Sequence, residues 1–339
     1  MLPANRASIY ELFAGGGTLG FALLSGMSRE IDCAIIGGNE LSPRYLSRWS
    51  ALHPQASTFG GSIGQFHTAE LSMPAEGVRI LAAGIPCTGA SLAGRAKNRL
   101  GRAEDHQDVG HLFLSTMHHV RRHRPHVVVF ENVPAYQKTM SARAIRDALA
   151  MSGYTFSEYV FEANRDFETP ARRSRWTLVA SRIGDFHWAY EPKPFSGTIA
   201  EFVDPESDED AVFTEEQCAA HEAYCARKRA EGCGWTRVVV ERHDRTVPTI
   251  VRTYHKTHAS GPFLRCKDRY RKFKAREIAR LNGFPESFPL PETETEAVEI
   301  CGQGVSFRPF ENLGRAIGKW LRTGESSKAV LPDGQMALF

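Results

Sequence analysis

A short, mostly apolar run, Ile9 to Phe13, passes without a spacer into AGGGTLG. A strand that turns tightly into a helix accounts for that order, because glycines accept close approaches and backbone angles that a Cβ forbids. Read from Gly15, the turn is G-x-G-x-x-G, with Gly15, Gly17 and Gly20; a second apolar run, Cys33 to Gly37, follows, and Glu40 stands 20 residues after Gly20. This is a nucleotide-binding βαβ pattern, in which the glycines admit the cofactor and the acid bonds ribose hydroxyls. It predicts an α/β chain with a parallel sheet. It does not choose between a dinucleotide and another adenosyl cofactor.

The pattern continues. Ser42 to Leu52 reads as a helix, and Gly61 to Ile63 closes a third strand at the same sheet edge. Ile80 to Ala83 reads as a buried strand, after which Gly84, Pro86 and Gly89 force an irregular turn that carries Cys87. A polar loop from Ser91 to Asp108 follows, basic at Arg95, Lys97, Arg99 and Arg102, of a length that is usually functional. Gly110 to Arg124 is a helix with Leu112, Leu114, Met117 and Val120 inward. Val127 to Phe130 is apolar on both faces, as a central parallel strand should be, so Glu131 and Asn132 fall at its C-terminal end, where such sheets bind ligands. After a helix over Ser141 to Ser152, Arg173 and Arg175 enter the strand Trp176 to Ala180. Alternate arginines point to one side, where they clamp an anion or form ion pairs at the sheet edge.

Beyond Ser181 the strand and helix alternation stops. Eight acids between Glu201 and Glu216 form a solvated segment, and Thr214 with Gln217 predicts a capping box opening a helix. Cys218, His221 and Cys225 share a face of that helix, with Cys233 beyond; the spacing matches no common zinc module, and reduced structural thiols are the expectation, with no metal. Residues 235–263 alternate apolar, basic and hydroxyl side chains, suiting β-strands with one wet face. From Arg265 to Arg276, seven cations crowd into twelve residues with Asp268 as the single acid, either a solvated face or a phosphate footprint. Seven cysteines in a chain of 339 residues with 42% hydrophobic content, no bilayer-length apolar run and no leader pattern predict a reduced, cytoplasmic protein with no membrane contact.

The motifs ELFAGGGTLG, GNE, GIPCTGAS, FENV, ARRSRW, REIARLNGFP and GQGV occur in this order across nearly the whole chain. In that order the chain resembles the cytosine-5 DNA methyltransferases. The resemblance implies a Rossmann-like S-adenosyl-L-methionine-dependent methyltransferase domain with a smaller, mostly β target-recognition domain. The implied layout is a catalytic domain over 1–184, target recognition over 185–264, a return to the catalytic domain with bracing helices over 265–325, and a tail over 326–339. It further implies double-stranded DNA as partner, a cognate restriction endonuclease and a monomeric enzyme.

The chemistry explains the residue types. Cytosine carbon 5 is too electron-poor to attack a methyl sulfonium until a soft nucleophile adds to carbon 6, and a thiolate adds and leaves well. The resemblance makes Cys87 that nucleophile, Glu131 the donor to ring nitrogen 3, and Arg175, with Arg173, the holder of the base oxygen or a flanking phosphate. Pro86, Ser91, Arg95, Lys97 and Asn132 are implied around the substrate. The cofactor is implied to lie among Phe13, Ala14, Gly15, Gly17, Glu40, Leu41, Ser62, Ile63, Pro86, Leu112, Gln303 and Val305. Four positions depart from the usual family residues: Ser62, Thr88, Ala171 and Gln303. A branch of the family methylates tRNA, but its CFT triplet is missing here. A nicotinamide oxidoreductase would explain the glycines and leave the thiol turn, FENV and RRSRW without a role. A DNA-binding module with a degenerate active site would predict loss of Cys87 or Glu131, and both are present.

Overall fold

Strand β1, Arg6–Leu12, is buried over six of its seven residues. It runs parallel to β2, Asp32–Glu40, on one side and to β4, Val78–Gly84, on the other. A computed structural model describes residues 4–65, 76–86, 110–205, 212–232, 238–256 and 261–326. Helix α1, Thr18–Met27, follows β1; α2, Pro43–Leu52, follows β2 and leads to β3, Ser57–Gly60. Helix α3, Leu112–His123, precedes β5, Val127–Asn132, and α4, Met140–Met151, precedes β6, Thr155–Glu162. A two-residue β7, Ala171–Arg172, stands before β8, Ser174–Ser181.

The chain divides into two compact units. The first comprises Met1–Phe161, Ser174–Glu191 and Pro309–Phe339, and the second Glu162–Arg173 and Pro192–Arg308. The first holds a seven-stranded sheet in the order β3-β2-β1-β4-β5-β8-β6, in which β8 is antiparallel to β5 while β3, β2, β1, β4 and β5 run parallel. Strand order reverses direction at β1, so a crevice opens beyond the C-terminal ends of β1 and β4, the usual ligand position in such sheets. The valines of β5 are fully buried, as its continuous apolar run predicts. Leu114 departs from the helix reading: Met117 and Val120 face the core, but Leu114 is 60% exposed.

Two helices of the first unit touch through glycines. A Cβ on Gly26 of α1 would lie 1.9 Å from the Glu311 carbonyl oxygen, and one on Gly314 would lie 2.3 Å from that of Leu23. The chain's last described helix, Phe307–Thr323, therefore lies backbone against backbone on α1. Glu30 accepts from Arg315 at 3.1 Å and Arg322 at 2.6 Å beside this contact.

The second unit carries small sheets of short strands, β12-β11-β9 (Arg269–Arg271, Pro262–Cys266, Val238–Val240) and β10-β7 (Val247–Pro248 with Ala171–Arg172). Its longest helix, Glu215–Ala230, opens with the expected capping box between Thr214 and Gln217. That helix buries His221 and Cys225 against Phe263 and Tyr270. Cys233 lies outside the described residues. The compact units do not share the expected boundaries: residues 265–308 cluster with 192–264, and the chain rejoins the first unit at Pro309. The physical reason is a buried ion pair. Arg271, 2% exposed, donates to both Glu277 oxygens at 2.6 and 2.7 Å, and Glu277 also accepts from the Asp204 and Lys274 amides.

Candidate active site

The turn after β1 takes the left-handed backbone its glycines foretold: φ is 53° at Gly15 and 81° at Gly17, and Phe13 adopts 54° without being a glycine. Glu40 secures the turn, its Oε2 accepting from the Gly15 amide and its Oε1 from the Ser42 amide, both at 2.8 Å. Each carboxylate oxygen retains a lone pair for a hydroxyl donor. The Ala14 amide donates to the Asn39 carbonyl at 3.0 Å, and the Asn39 side chain donates to the carbonyls of Phe59 and Gly61 at 3.0 and 3.2 Å. Helix α1 begins at Gly17, which has no side chain to cap it, and the Gly20 amide of its first turn donates to the Glu11 carboxylate. Phe13 and Leu112 pack against the cluster that holds Ile63, while Leu41 beside Glu40 is 68% exposed. The Ser62 hydroxyl accepts from the Gly64 amide at 3.4 Å. These residues fit the adenosyl part of a cofactor: lone pairs for the ribose and apolar side chains for the base.

One anchor of this turn escaped the motif reading. Glu11, 1% exposed within β1, accepts from the Gly20 amide at 2.9 Å and the Trp49 indole at 2.8 Å. A Cβ at position 20 would lie 2.5 Å from its Oε2, so the last glycine of the fingerprint makes room for this carboxylate. Burial pushes the Glu11 pKa up to about 7. A lone acid in an apolar strand was the available signal.

At the end of β5, Glu131 stands in register with Gly84 of β4 and Thr177 of β8. Its Oε1 lies 2.6 Å from Arg175 Nε, and both side chains are only 13% exposed. A Cβ on Gly84 would lie 3.4 Å from Glu131 Oε2, so the carboxylate sits beside the backbone that leads to Pro86 and Cys87. Asn132, 1% exposed, donates to the Ile85 carbonyl at 3.0 Å and accepts from the Val133 amide at 2.8 Å. Its amide thus ties the end of β5 to the Ile85 backbone, two residues before Cys87. Cys87, Ser91, Arg95 and Lys97 lie outside the described residues.

Arg173 departs from the expectation that it shares a target with Arg175. It is 3% exposed and donates to the backbone carbonyls of Ile250, Gly302, Gln303 and Gly304. Those partners belong to its own unit, the second, whereas Arg175 belongs to the first. Gln303 and Val305 are also in the second unit, where Val305 is 5% exposed and the Gln303 side chain accepts from Arg252 at 3.5 Å.

Glu158, also unforeseen, braces the strand bearing Arg175. It accepts from Trp176 at 2.9 Å, Gln137 at 3.0 Å and Arg146. Burial opposes its charge, yet these donors hold its pKa below the usual carboxylate value. The basic run is corrected as well. Arg271 is spent on Glu277, Lys272 donates to the His255 carbonyl, Lys274 pairs with Asp204, Arg276 donates to the carbonyls of Glu286 and Phe288, and Arg265 pairs with Glu241. Lys267 and Arg269 remain without an acidic partner among the described residues.

The sequence profile of the C-5 cytosine-specific DNA methylases matches residues 7–319. The chain belongs to that family. It is a DNA (cytosine-5)-methyltransferase, of a family that depends on S-adenosylmethionine. Among curated relatives it is 26% identical over 290 residues to the type II methyltransferase M.DsaV of Dactylococcopsis salina, covering 80% of this chain and 78% of that one. It is 26% identical over 302 residues to M.NlaX of Neisseria lactamica, covering 88% and 91%. Among solved structures the Dnmt2 methyltransferase of S. pombe superposes with a TM-score of 0.66 at 18% identity, covering 90% of this chain and 96% of that one. That likeness establishes the methyltransferase fold. No helix among the described residues is long and apolar enough to cross a membrane.

Proposed function

We propose that this methyltransferase modifies carbon 5 of a cytosine flipped out of duplex DNA, through a transient bond between Cys87 and carbon 6. The observation that carries the reading is the Glu131–Arg175 pair, enclosed at the end of β5 and in register with Gly84, three residues before Cys87. S-adenosylmethionine supplies the electrophilic methyl group. The thiolate of Cys87 forms the bond to carbon 6 and drives the ring electrons toward carbon 5. Glu131, in its acid form, donates a hydrogen bond to ring nitrogen 3 that strengthens as charge develops there, and Arg175 steadies Glu131 and the exocyclic carbonyl oxygen beside that nitrogen. Carbon 5 so activated takes the methyl group; its proton then passes to solvent, the carbon 5–carbon 6 double bond re-forms, and the bond to sulfur breaks, releasing the Cys87 thiolate.

Phe13, Ile63 and Leu112 would flank the cofactor base, and Glu40 its ribose. The unstacked cytosine costs a few kcal/mol, which contacts to the DNA backbone must offset. Lys267 and Arg269, near the turn between β11 and β12, supply such contacts in this reading, within a target-recognition region. The type II names of the relatives support a cognate restriction endonuclease as a partner in the cell. The test is transfer of tritium from methyl-labelled S-adenosylmethionine into duplex DNA or tRNA, with bisulfite sequencing of the product. Label in DNA at carbon 5 of cytosine is the expected result; label in RNA alone, or in neither, would overturn the reading.

A further inference from the structure

At the sheet edge opposite Glu131, the first unit gathers cations that the reaction does not use. Pairing sets Ile80, Val127 and Ser181 side by side across β4, β5 and β8, and the next residues outward are Arg79, His126 and Arg182. Backbone bonds continue the row: the His126 amide donates to the Arg79 carbonyl at 2.8 Å, and the Arg182 amide to the His126 carbonyl at 3.1 Å. With strands about 4.8 Å apart, the row spans about 10 Å. Helix α3 ends at the same place, with Arg121, Arg122 and His123 in its last turn and Arg124 as its left-handed cap. Arg182 donates to the Arg124 carbonyl at 3.3 Å. Tyr154 feels the charges of Arg182, Arg124 and Arg79, and His123 those of Arg122 and Arg79, so these groups converge.

The carbonyl end of a helix attracts cations, which accounts for Arg121, Arg122 and Arg124. It does not account for Arg79 and Arg182, which come from the sheet. None of the five arginines pairs with a carboxylate among the described residues, and Asp32 at the same edge is held by Arg6 at 3.5 Å. Arg79 Nε and His123 Nε2 are buried without a hydrogen-bond partner. Unpaired like charges repel one another until an anion joins them.

We infer that this edge binds the phosphodiester backbone of a second DNA segment. Guanidinium forks match phosphate oxygens, and Arg79 and Arg182 at the two ends of the row, about 10 Å apart, face about two phosphates of one strand, with the buried His126 between them. The five residues of rise from His126 to Glu131 put this row about 17 Å from Glu131, beyond reach of the flipped nucleotide. The inference rests on DNA being the substrate. A second grip lets the enzyme pass from one duplex segment to another before releasing the first.

The test is the binding stoichiometry of the full chain with a labelled duplex of about 15 base pairs at low salt, alongside methyl transfer. The triple variant Arg79→Gln, Arg122→Gln, Arg182→Gln is compared with the wild type and with the corresponding triple lysine variant. The wild type and lysine variant should bind two duplexes per chain and the glutamine variant one, with undiminished methyl transfer to a short substrate. In the wild type the second binding event should weaken with salt at a slope of about 0.9 for each phosphate it neutralises. One duplex per wild-type chain, or two on the glutamine variant, would overturn the inference. Absent methyl transfer by the wild type would instead sink the function proposed above, and the stoichiometry reads independently of it. Should the glutamine variant fail to fold, stoichiometry on the single variants Arg79→Gln and Arg182→Gln decides, by the same criterion.

Discussion

Glu11 makes the stability of the glycine turn depend on pH. Its carboxyl is buried with no cation against it among the described residues, and burial raises its pKa from 4.5 to about 7. Because the folded value lies above the unfolded one, the stabilisation is fully present below pH 4.5 and is lost as pH rises through 7. A difference of about 2.5 units at 1.36 kcal/mol each gives about 3 kcal/mol, with no discount for solvent because the group is enclosed. Urea unfolding of the wild type and Glu11→Gln at intervals from about pH 4.5 to 8 measures it. At about pH 4.5 the glutamine variant should be less stable than the wild type by about 1–3 kcal/mol, because its single oxygen satisfies one of the two donors at Gly20 and Trp49, and the gap should close as pH rises. It should also lack the decline of about 3 kcal/mol expected of the wild type. Parallel stability curves for the two proteins would refute the reasoning, by showing that Glu11 titrates alike folded and unfolded.

Three other perturbations separate roles that the sequence alone left together. Arg175→Lys should lower kcat about a hundredfold with little change in the unfolding midpoint, whereas Arg173→Lys should cost about 3 kcal/mol of stability through its backbone carbonyls; kinetics and denaturation of both variants check this. Gly26→Ala should destabilise the chain by at least about 1–3 kcal/mol, read by thermal melting, because its Cβ meets a carbonyl of the facing helix. Neutralising Lys267 and Arg269 should flatten the salt dependence of DNA binding by about 0.9 per phosphate, while Lys272→Gln, whose lysine already bonds to His255, should leave the slope unchanged.

The residues whose roles were legible are those fixed by neighbours close in sequence. Gly15 and Gly17 announced a left-handed turn, β5 announced its burial by an unbroken apolar run, and Thr214 with Gln217 announced a capping box. The roles that stayed hidden depend on partners far along the chain. Arg173 finds carbonyls about 130 residues away, and nothing near it distinguishes it from Arg175. The cations from Arg265 to Arg276 look like one solvated face until Glu241, Asp204 and Glu277 fold against them. Glu158 gives no local sign that it will receive Trp176, Gln137 and Arg146. Motif order identified the family because chemistry restricts residue type in its motifs. Packing arrangements have no comparable signature.

The most direct measurement of the central claim is covalent capture on a duplex carrying 5-fluorocytosine at the methylated position, in the presence of S-adenosylmethionine, followed by peptide mapping. Fluorine blocks the last elimination, so the adduct should persist, map to the peptide containing Cys87 and vanish in Cys87→Ser. An adduct on another cysteine, or capture undiminished in Cys87→Ser, would contradict the account.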